Sequence, residues 1–121
     1  MKKVLVCDDS LLIRKQLKQF FQENWKELQF LESVNGKEAL EMYQAEKPDL
    51  VFMDIVMPEM DGVRSLKEIC RFDPDAKIVV LSSVGNREVL QEAIKAGAVD
   101  FVQKPWTSDV LNKIMRTNFP A

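Results

Sequence analysis

Acidic side chains directly follow two of the apolar runs in this chain. Val4–Cys7 is followed by Asp8 and Asp9, and Leu50–Met53 is followed by Asp54. Crowded carboxylates repel one another and raise each other's pKa unless a cation lies among them. Oxygen ligands with room for water suit Mg²⁺. Since a carboxylate can also attack phosphorus, these acids indicate metal-assisted phosphoryl transfer to an aspartate.

Hydroxyl and ammonium groups follow two further apolar runs. Ser82 and Ser83 come directly after Ile78–Leu81, and Lys104 comes shortly after Val99–Val102. A lysine can neutralise phosphoryl oxygens, and a hydroxyl can donate a hydrogen bond to them. Taken singly, the run Asp8-Asp9-Ser10 could cap the first helix, Asp54 could be a solvated loop acid, and Lys104 could be an ordinary surface lysine. Their coincidence at four strand ends favours a common site.

Short apolar runs alternate with helical patterns along the whole chain, and the strands and helices that they predict would position the polar groups. Such alternation predicts an α/β fold with one parallel sheet and helices on both faces. Ligands bind such sheets beyond the carboxyl ends of the strands, where all these polar groups stand. Gly97 is expected to end the fourth helix. The expected strands are Val4–Cys7, Leu28–Leu31, Leu50–Met53, Ile78–Leu81 and Val99–Val102, and the helices are marked by Ile13–Phe21, Ala39–Tyr43, Val63–Cys70, Val89–Ile94 and Val110–Met115.

Composition narrows the class of protein. The chain has 121 residues, 46% of them hydrophobic and 30% charged, which predicts one globular domain over 1–121. A net charge of −2 gives no electrostatic support for nucleic-acid binding. No signal peptide or membrane-spanning run is present, and Cys7 and Cys70 read as free thiols, so we expect a cytoplasmic protein. Because histidine is absent, imidazole catalysis and the role of phosphohistidine donor are excluded.

Four segments together resemble the receiver domains of response regulators, in particular the single-domain CheY-like regulators of chemotaxis. The resemblance covers nearly the whole chain, with the motifs in order and at family-like spacing. It implies a flavodoxin-like (βα)5 three-layer fold with a five-stranded parallel sheet of order 2-1-3-4-5. The segments that carry it are Val4–Ser10, Met53–Gly62, Leu81–Ser83 and Ala96–Pro105.

The resemblance assigns the acids to phosphoryl chemistry. Asp54 would accept a phosphoryl group from a phosphohistidine on a sensor histidine kinase or phosphotransfer protein. Asp9, Asp54 and the backbone carbonyl of Val56 would ligate Mg²⁺, and Asp8 would hold a metal-bound water. Lys104 would pair with Asp54 and later contact a phosphoryl oxygen.

The same resemblance implies which residues would respond to phosphorylation. A cis peptide would precede Pro105, an X–Pro bond being the least costly to place in cis. Ser82, chosen over Ser83 for its spacing from Lys104, would donate to the phosphoryl group, and Phe101 would then turn inward. Phosphorylation adds charge and acceptor oxygens, so the population shifts towards the state that binds them.

The output surface would lie on the fourth helix, fifth strand and fifth helix. Its targets would be proteins such as the flagellar motor or a kinase, and a phosphatase would be a further partner. Plain core packing is the alternative for Leu90 and Ile94. The surface residues are Arg87, Leu90, Ile94, Phe101 and Trp106.

Two positions depart from relatives that carry polar side chains there. Val56 and Val84 follow the phosphoacceptor and the switch hydroxyl by two residues each, and neither can hydrogen-bond an attacking water. We therefore expect a long-lived phosphoryl group. Phe101 also lacks a hydroxyl for partner contacts.

Three other functions compete with this interpretation. An aspartate-nucleophile phosphatase needs Asp-x-Asp after its first strand, whereas this chain has Asp8-Asp9-Ser10. A flavodoxin-like electron carrier needs a phosphate-binding loop there, and the acids have the wrong charge for it. A scaffold that works without phosphorylation is disfavoured by the intact acid set. Neither the cognate kinase nor the output pathway is predicted by these motifs.

Overall fold

Five strands and five helices alternate in the computed structural model, which describes residues 2–57, 60–83 and 85–119. The strands form one parallel sheet of order β2-β1-β3-β4-β5, so the predicted fold and strand order are confirmed. The elements are β1 (Lys3–Cys7), α1 (Leu11–Asn24), β2 (Gln29–Ser33), α2 (Gly36–Glu46), β3 (Leu50–Asp54), α3 (Gly62–Phe72), β4 (Ile78–Ser82), α4 (Arg87–Ala96), β5 (Asp100–Gln103) and α5 (Ser108–Asn118).

Burial explains which strands the sequence predicts well. Every residue of β3 and β4 is buried, as their continuous apolar runs indicate for strands covered on both faces. β2 is an edge strand with exposed Gln29 and Glu32, and it extends to Ser33 rather than ending at Leu31 as predicted. β5, at the other edge, likewise begins one residue later than predicted.

Side-chain caps start four helices close to the carboxyl ends of the strands. Ser10, Asn35, Asp61 and Thr107 each accept a hydrogen bond from the backbone N–H three residues ahead, which satisfies one of the free donors of the first turn. Gly97 ends α4 with φ 128°, so the predicted C-cap is confirmed. The helices therefore start at the edge of the sheet where the acids stand.

The two faces of the sheet carry separate apolar layers. Leu5 and Cys7 point to the face covered by α2, α3 and α4, while Val4 and Val6 point to the face covered by α1 and α5. This follows from the alternation of side chains along a strand. Among the described residues, no helix combines the length and apolar character that a membrane crossing requires.

Candidate functional site

Three carboxylates meet at the carboxyl ends of the neighbouring strands β1 and β3. Asp8 follows β1, Asp54 ends β3, and Asp9 stands beside Asp8; an oxygen from each lies within 4.8 Å of the others. They meet because β1 and β3 pair in register, with Cys7 opposite Met53. Asp8 is fully buried and Asp54 is 7% exposed, whereas Asp9 faces solvent.

Lys104 lies between the two buried acids. Its Nζ is 2.8 Å from Asp8 Oδ2 and 3.4 Å from Asp54 Oδ2. The expected pairing with Asp54 is present, but the shorter contact is with Asp8. The Lys104–Pro105 peptide is cis. The backbone N–H of Lys104 donates to the carbonyl of Ser82 at 2.7 Å, which ties the ends of β4 and β5 together.

The electrostatics of Asp54 favour its uncharged form. Burial raises the pKa of its carboxyl, the nearby charge of Asp8 raises it further, and hydrogen bonds from the Val56 N–H and Lys104 offset only part of this. For Lys104, burial opposes the charge, but the hydrogen bond to Asp8 and the charge of Asp54 outweigh it, and the pKa of the ammonium is raised.

The donor set fits Mg²⁺. Among the described residues, Lys104 is the one ammonium paired with this cluster of three carboxylates, so negative charge is in excess and a further cation would relieve the repulsion. All the side-chain donors are hard oxygens. Because Asp9 reaches solvent, the cluster leaves room for the waters that Mg²⁺ usually retains.

The two adjacent serines differ in burial. Ser82, the last residue of β4, is 5% exposed and is tied to Lys104 through its carbonyl. Ser83 is exposed, and its N–H donates to Asn86 Oδ1 at 3.3 Å. Ser82 is therefore the hydroxyl that stands at the buried strand end beside the lysine.

Comparison with known proteins identifies the family. The family model for the response regulator receiver domain matches residues 4–116. This chain belongs to that family. It is a response regulator of two-component signalling, and membership decides against the phosphatase and electron-carrier alternatives.

The relatives of this receiver domain include chemotaxis proteins of similar length. Chemotaxis protein CheY of Thermotoga maritima is 44% identical over 119 residues, covering 95% of this chain and 98% of the relative. CheY of Bacillus subtilis is 42% identical over 116 residues, covering 95% and 96%.

Solved structures show the same fold. The CheX–CheY–BeF3–Mg²⁺ complex from Borrelia burgdorferi matches with a TM-score of 0.85 and 32% identity, over 96% of this chain and 88% of that one. The receiver domain of NtrX from Brucella abortus matches with a TM-score of 0.87 and 30% identity, over 95% and 96%.

The expected output residues of the receiver domain divide into exposed and packed groups. Arg87 begins α4 and is exposed, and Ile94 and Phe101 are 45% and 44% exposed. Leu90 is half-buried against the layer that contains α2 and α3, so core packing accounts for Leu90 but not for Ile94.

Trp106 is separated from the other output residues. It packs against the layer formed with α1 and α5 and lines a groove of about 640 Å³ between these helices. Phe101 points to the opposite face of the sheet from its neighbour Val102, which belongs to that same layer.

The structure describes one of the two valines that are expected to prolong the lifetime of the phosphoryl group. Val56 is 55% exposed and lines a cavity together with Met57 and Val63. Val84 lies outside the described residues.

The sequence predicted no role for Cys7, which directly precedes Asp8, or for Met57, and the sulfur atoms of these two residues lie close together. The Cys7 thiol donates to the Asn35 carbonyl at 3.2 Å, and its Sγ lies 3.5 Å from Met57 Sδ. Burial raises the pKa of Cys7 to about 12, so the thiol stays protonated at neutral pH and is no competing nucleophile. The apolar run that contains Cys7 was the available signal for this packing.

Proposed function

We propose that Asp54 accepts a phosphoryl group from a phosphohistidine on a partner kinase or phosphotransfer protein in the cytoplasm. The observation that carries this proposal is the burial of Asp54 beside Asp8, Asp9 and Lys104. A carboxylate oxygen attacks phosphorus, the phosphorus–nitrogen bond breaks, and its electron pair leaves with the imidazole nitrogen.

Mg²⁺ would be held by Asp9, Asp54 and the Val56 carbonyl, with Asp8 acting through a water. When bound, the ion supplies positive charge that neutralises the phosphoryl oxygens. Lys104 would supply a second positive charge, since its Nζ lies 3.4 Å from the Asp54 carboxylate.

Signal output would follow from the new charge on Asp54. Ser82 would donate a hydrogen bond to the phosphoryl group, and Phe101, now exposed, would turn inward. The change would alter the surface of Arg87 and Ile94 for a protein target, with Leu90 packed beneath it. Trp106 would contribute separately, from the groove between α1 and α5.

We propose a role in chemotaxis because several relatives are chemotaxis proteins of the same length. The target would be the flagellar motor or a kinase, and the complex of a relative with CheX supports a further protein partner, such as a phosphatase. Residues 1–121 would serve as a receiver domain that modifies only its own Asp54 and turns over no other acceptor.

The test is phosphorylation by acetyl phosphate with Mg²⁺, followed by intact-protein mass spectrometry. Wild type is expected to gain a phosphoryl mass and Asp54→Ala is expected not to. The control is Asp61→Asn, which keeps a side-chain acceptor at the cap of α3 and should be phosphorylated like wild type. A shift that persists in Asp54→Ala, or no shift in wild type with any donor, would contradict the proposal and favour the scaffold.

A further inference from the structure

The segment that joins β3 to α3 is held at its far end by the first residue of α2. Met60 has a positive φ of 71°, and its carbonyl accepts a hydrogen bond from the Gly36 N–H at 3.0 Å. A Cβ placed on Gly36 would lie 2.0 Å from the Met60 carbonyl oxygen. Only glycine therefore lets α2 approach the segment this closely.

The near end of the same segment is held by the first residue of α3. A Cβ on Gly62 would lie 1.9 Å from the carbonyl oxygen of Asp54 and 2.7 Å from the Cα of Ile55. The backbone that carries the phosphoacceptor therefore rests directly on the start of α3.

One buried side chain joins the two helices that make these contacts. Ser65 of α3 is fully buried, and its hydroxyl donates to the carbonyl of Gly36 at 2.8 Å. A serine within a helix commonly bonds back to its own helix, but this hydroxyl bonds to α2 instead. Ser65 therefore holds the residue that in turn holds Met60.

We propose that Ser65 is a positioning residue for Mg²⁺ binding. Gly36, Met60 and Ser65 form a clamp, named here the α2–α3 clamp, that holds Met60 close to the start of α3, where Gly62 packs against the backbone of Asp54 and Ile55. Val56, the proposed backbone ligand, directly follows Ile55, so the clamp limits the positions that its carbonyl can sample. This inference rests on the Mg²⁺ site of the proposed function, although Ser65 itself touches no ligand of the metal.

The matched variants are Ser65→Ala and Tyr43→Phe. Each removes one hydroxyl from a buried residue, since Tyr43 is 2% exposed and donates to Asp73 Oδ2 at 2.7 Å. Tyr43, however, bonds near the amino ends of the strands. Mg²⁺ affinity is measured by calorimetry without phosphodonor. Ser65→Ala is expected to weaken it about fivefold, somewhat less than the loss of a direct outer-shell partner of a metal ligand, and Tyr43→Phe is expected to leave it unchanged.

Amide hydrogen exchange in wild type provides a second measurement that does not depend on a variant folding. Binding at coupled sites is reciprocal, so Mg²⁺ should slow exchange of the Gly36 amide, which donates to Met60. It should not slow exchange at Ala76, whose amide donates to Asp73 in a distant turn.

The outcomes separate the two proposals. If wild type binds no Mg²⁺, the proposed function fails. If wild type binds Mg²⁺ but Gly36 exchange is unaffected, the clamp is overturned and the function stands. Equal loss of affinity in Ser65→Ala and Tyr43→Phe, or no loss in Ser65→Ala, would likewise overturn the clamp.

Discussion

Two groups of acidic side chains lie at opposite ends of the sheet, and their surroundings differ. At the amino end, Tyr43 donates to Asp73 Oδ2 at 2.7 Å, the Asp75 N–H donates to Asp73 Oδ1 at 3.0 Å, and the Lys3 N–H donates to Asp49 at 2.8 Å. Lysines and aspartates line one cavity there in equal number. The amino-end group surrounds this cavity of about 320 Å³, which is lined by Asp49, Asp73, Asp75, Lys2, Lys47 and Lys77, among other residues.

The carboxyl end has the same number of acids but fewer compensating charges. Asp8 and Asp54 are buried and share the ammonium of Lys104, while no ion pair to Asp9 is present among the described residues. The comparison teaches that a count of acids does not identify a reactive site. Burial without matching positive charge is what favours an added cation or phosphoryl group.

The largest expected effect is on metal affinity. Asp9→Asn removes a proposed charged ligand and should weaken Mg²⁺ binding by about a hundredfold, as expected when a ligand rather than an outer partner is altered. Asp75→Asn, the matched change at the amino end, should leave binding unchanged. Calorimetric titration measures both variants. Similar losses would mean that the two acid groups do not differ as described.

The lifetime of the phosphoryl group is expected to change less. Val56→Asn places an exposed polar side chain two residues after Asp54, where one hydrogen bond to water would speed hydrolysis about tenfold. Val34→Asn is the control, because Val34 is also exposed, after β2. Decay of phosphorylated protein after removal of the donor measures the rate. An unchanged rate in Val56→Asn would show that the apolar side chain does not set the lifetime.

The smallest expected effects are on the free energy of unfolding. This should rise for a substitution at the carboxyl end of the sheet and fall for one at the amino end. Asp54→Asn should raise the free energy of unfolding at pH 7 without Mg²⁺, because burial and Asp8 disfavour the ionised carboxyl. Asp73→Asn should lower it by about 1 kcal/mol, because a neutral amide accepts the Tyr43 hydroxyl less strongly than a carboxylate.

The pH dependence of the Asp54 effect has a definite sign. In the unfolded chain this carboxyl ionises near its ordinary pKa of about 3.9, and in the folded protein its pKa is raised. Wild-type stability therefore falls as the pH rises through that interval, and the advantage of Asp54→Asn should disappear below it. Urea unfolding at several pH values measures this, and a stabilisation that persists at the lowest pH would argue against the cause given.

The sequence predicted the fold through its buried strands. Apolar runs that end in polar residues placed β3 and β4 correctly because these strands are covered on both faces. The edge strand β2 was misplaced because exposed Gln29 and Glu32 interrupt its apolar pattern. The meeting of the acids was predictable from strand ends alone.

Contacts between distant parts of the chain were not predictable. The preference of Lys104 for Asp8 over Asp54 depends on where a long side chain lies, and no local pattern records it. Trp106 was grouped with Phe101, although the alternation of β5 puts Phe101 on the other face. The contact of Gly36 with Met60 had one available signal, a glycine just after the cap of α2, where other residues form helices more readily.

The close approach at Gly36 and Gly62 has a consequence for how this protein can vary. Every other amino acid carries a Cβ, so any missense change at either codon would push backbone atoms apart. In a library of all single substitutions, scored for phosphorylation, these two positions should tolerate as few changes as Asp54 does. Neither glycine contributes a reactive group, so their intolerance would come entirely from the space they leave empty.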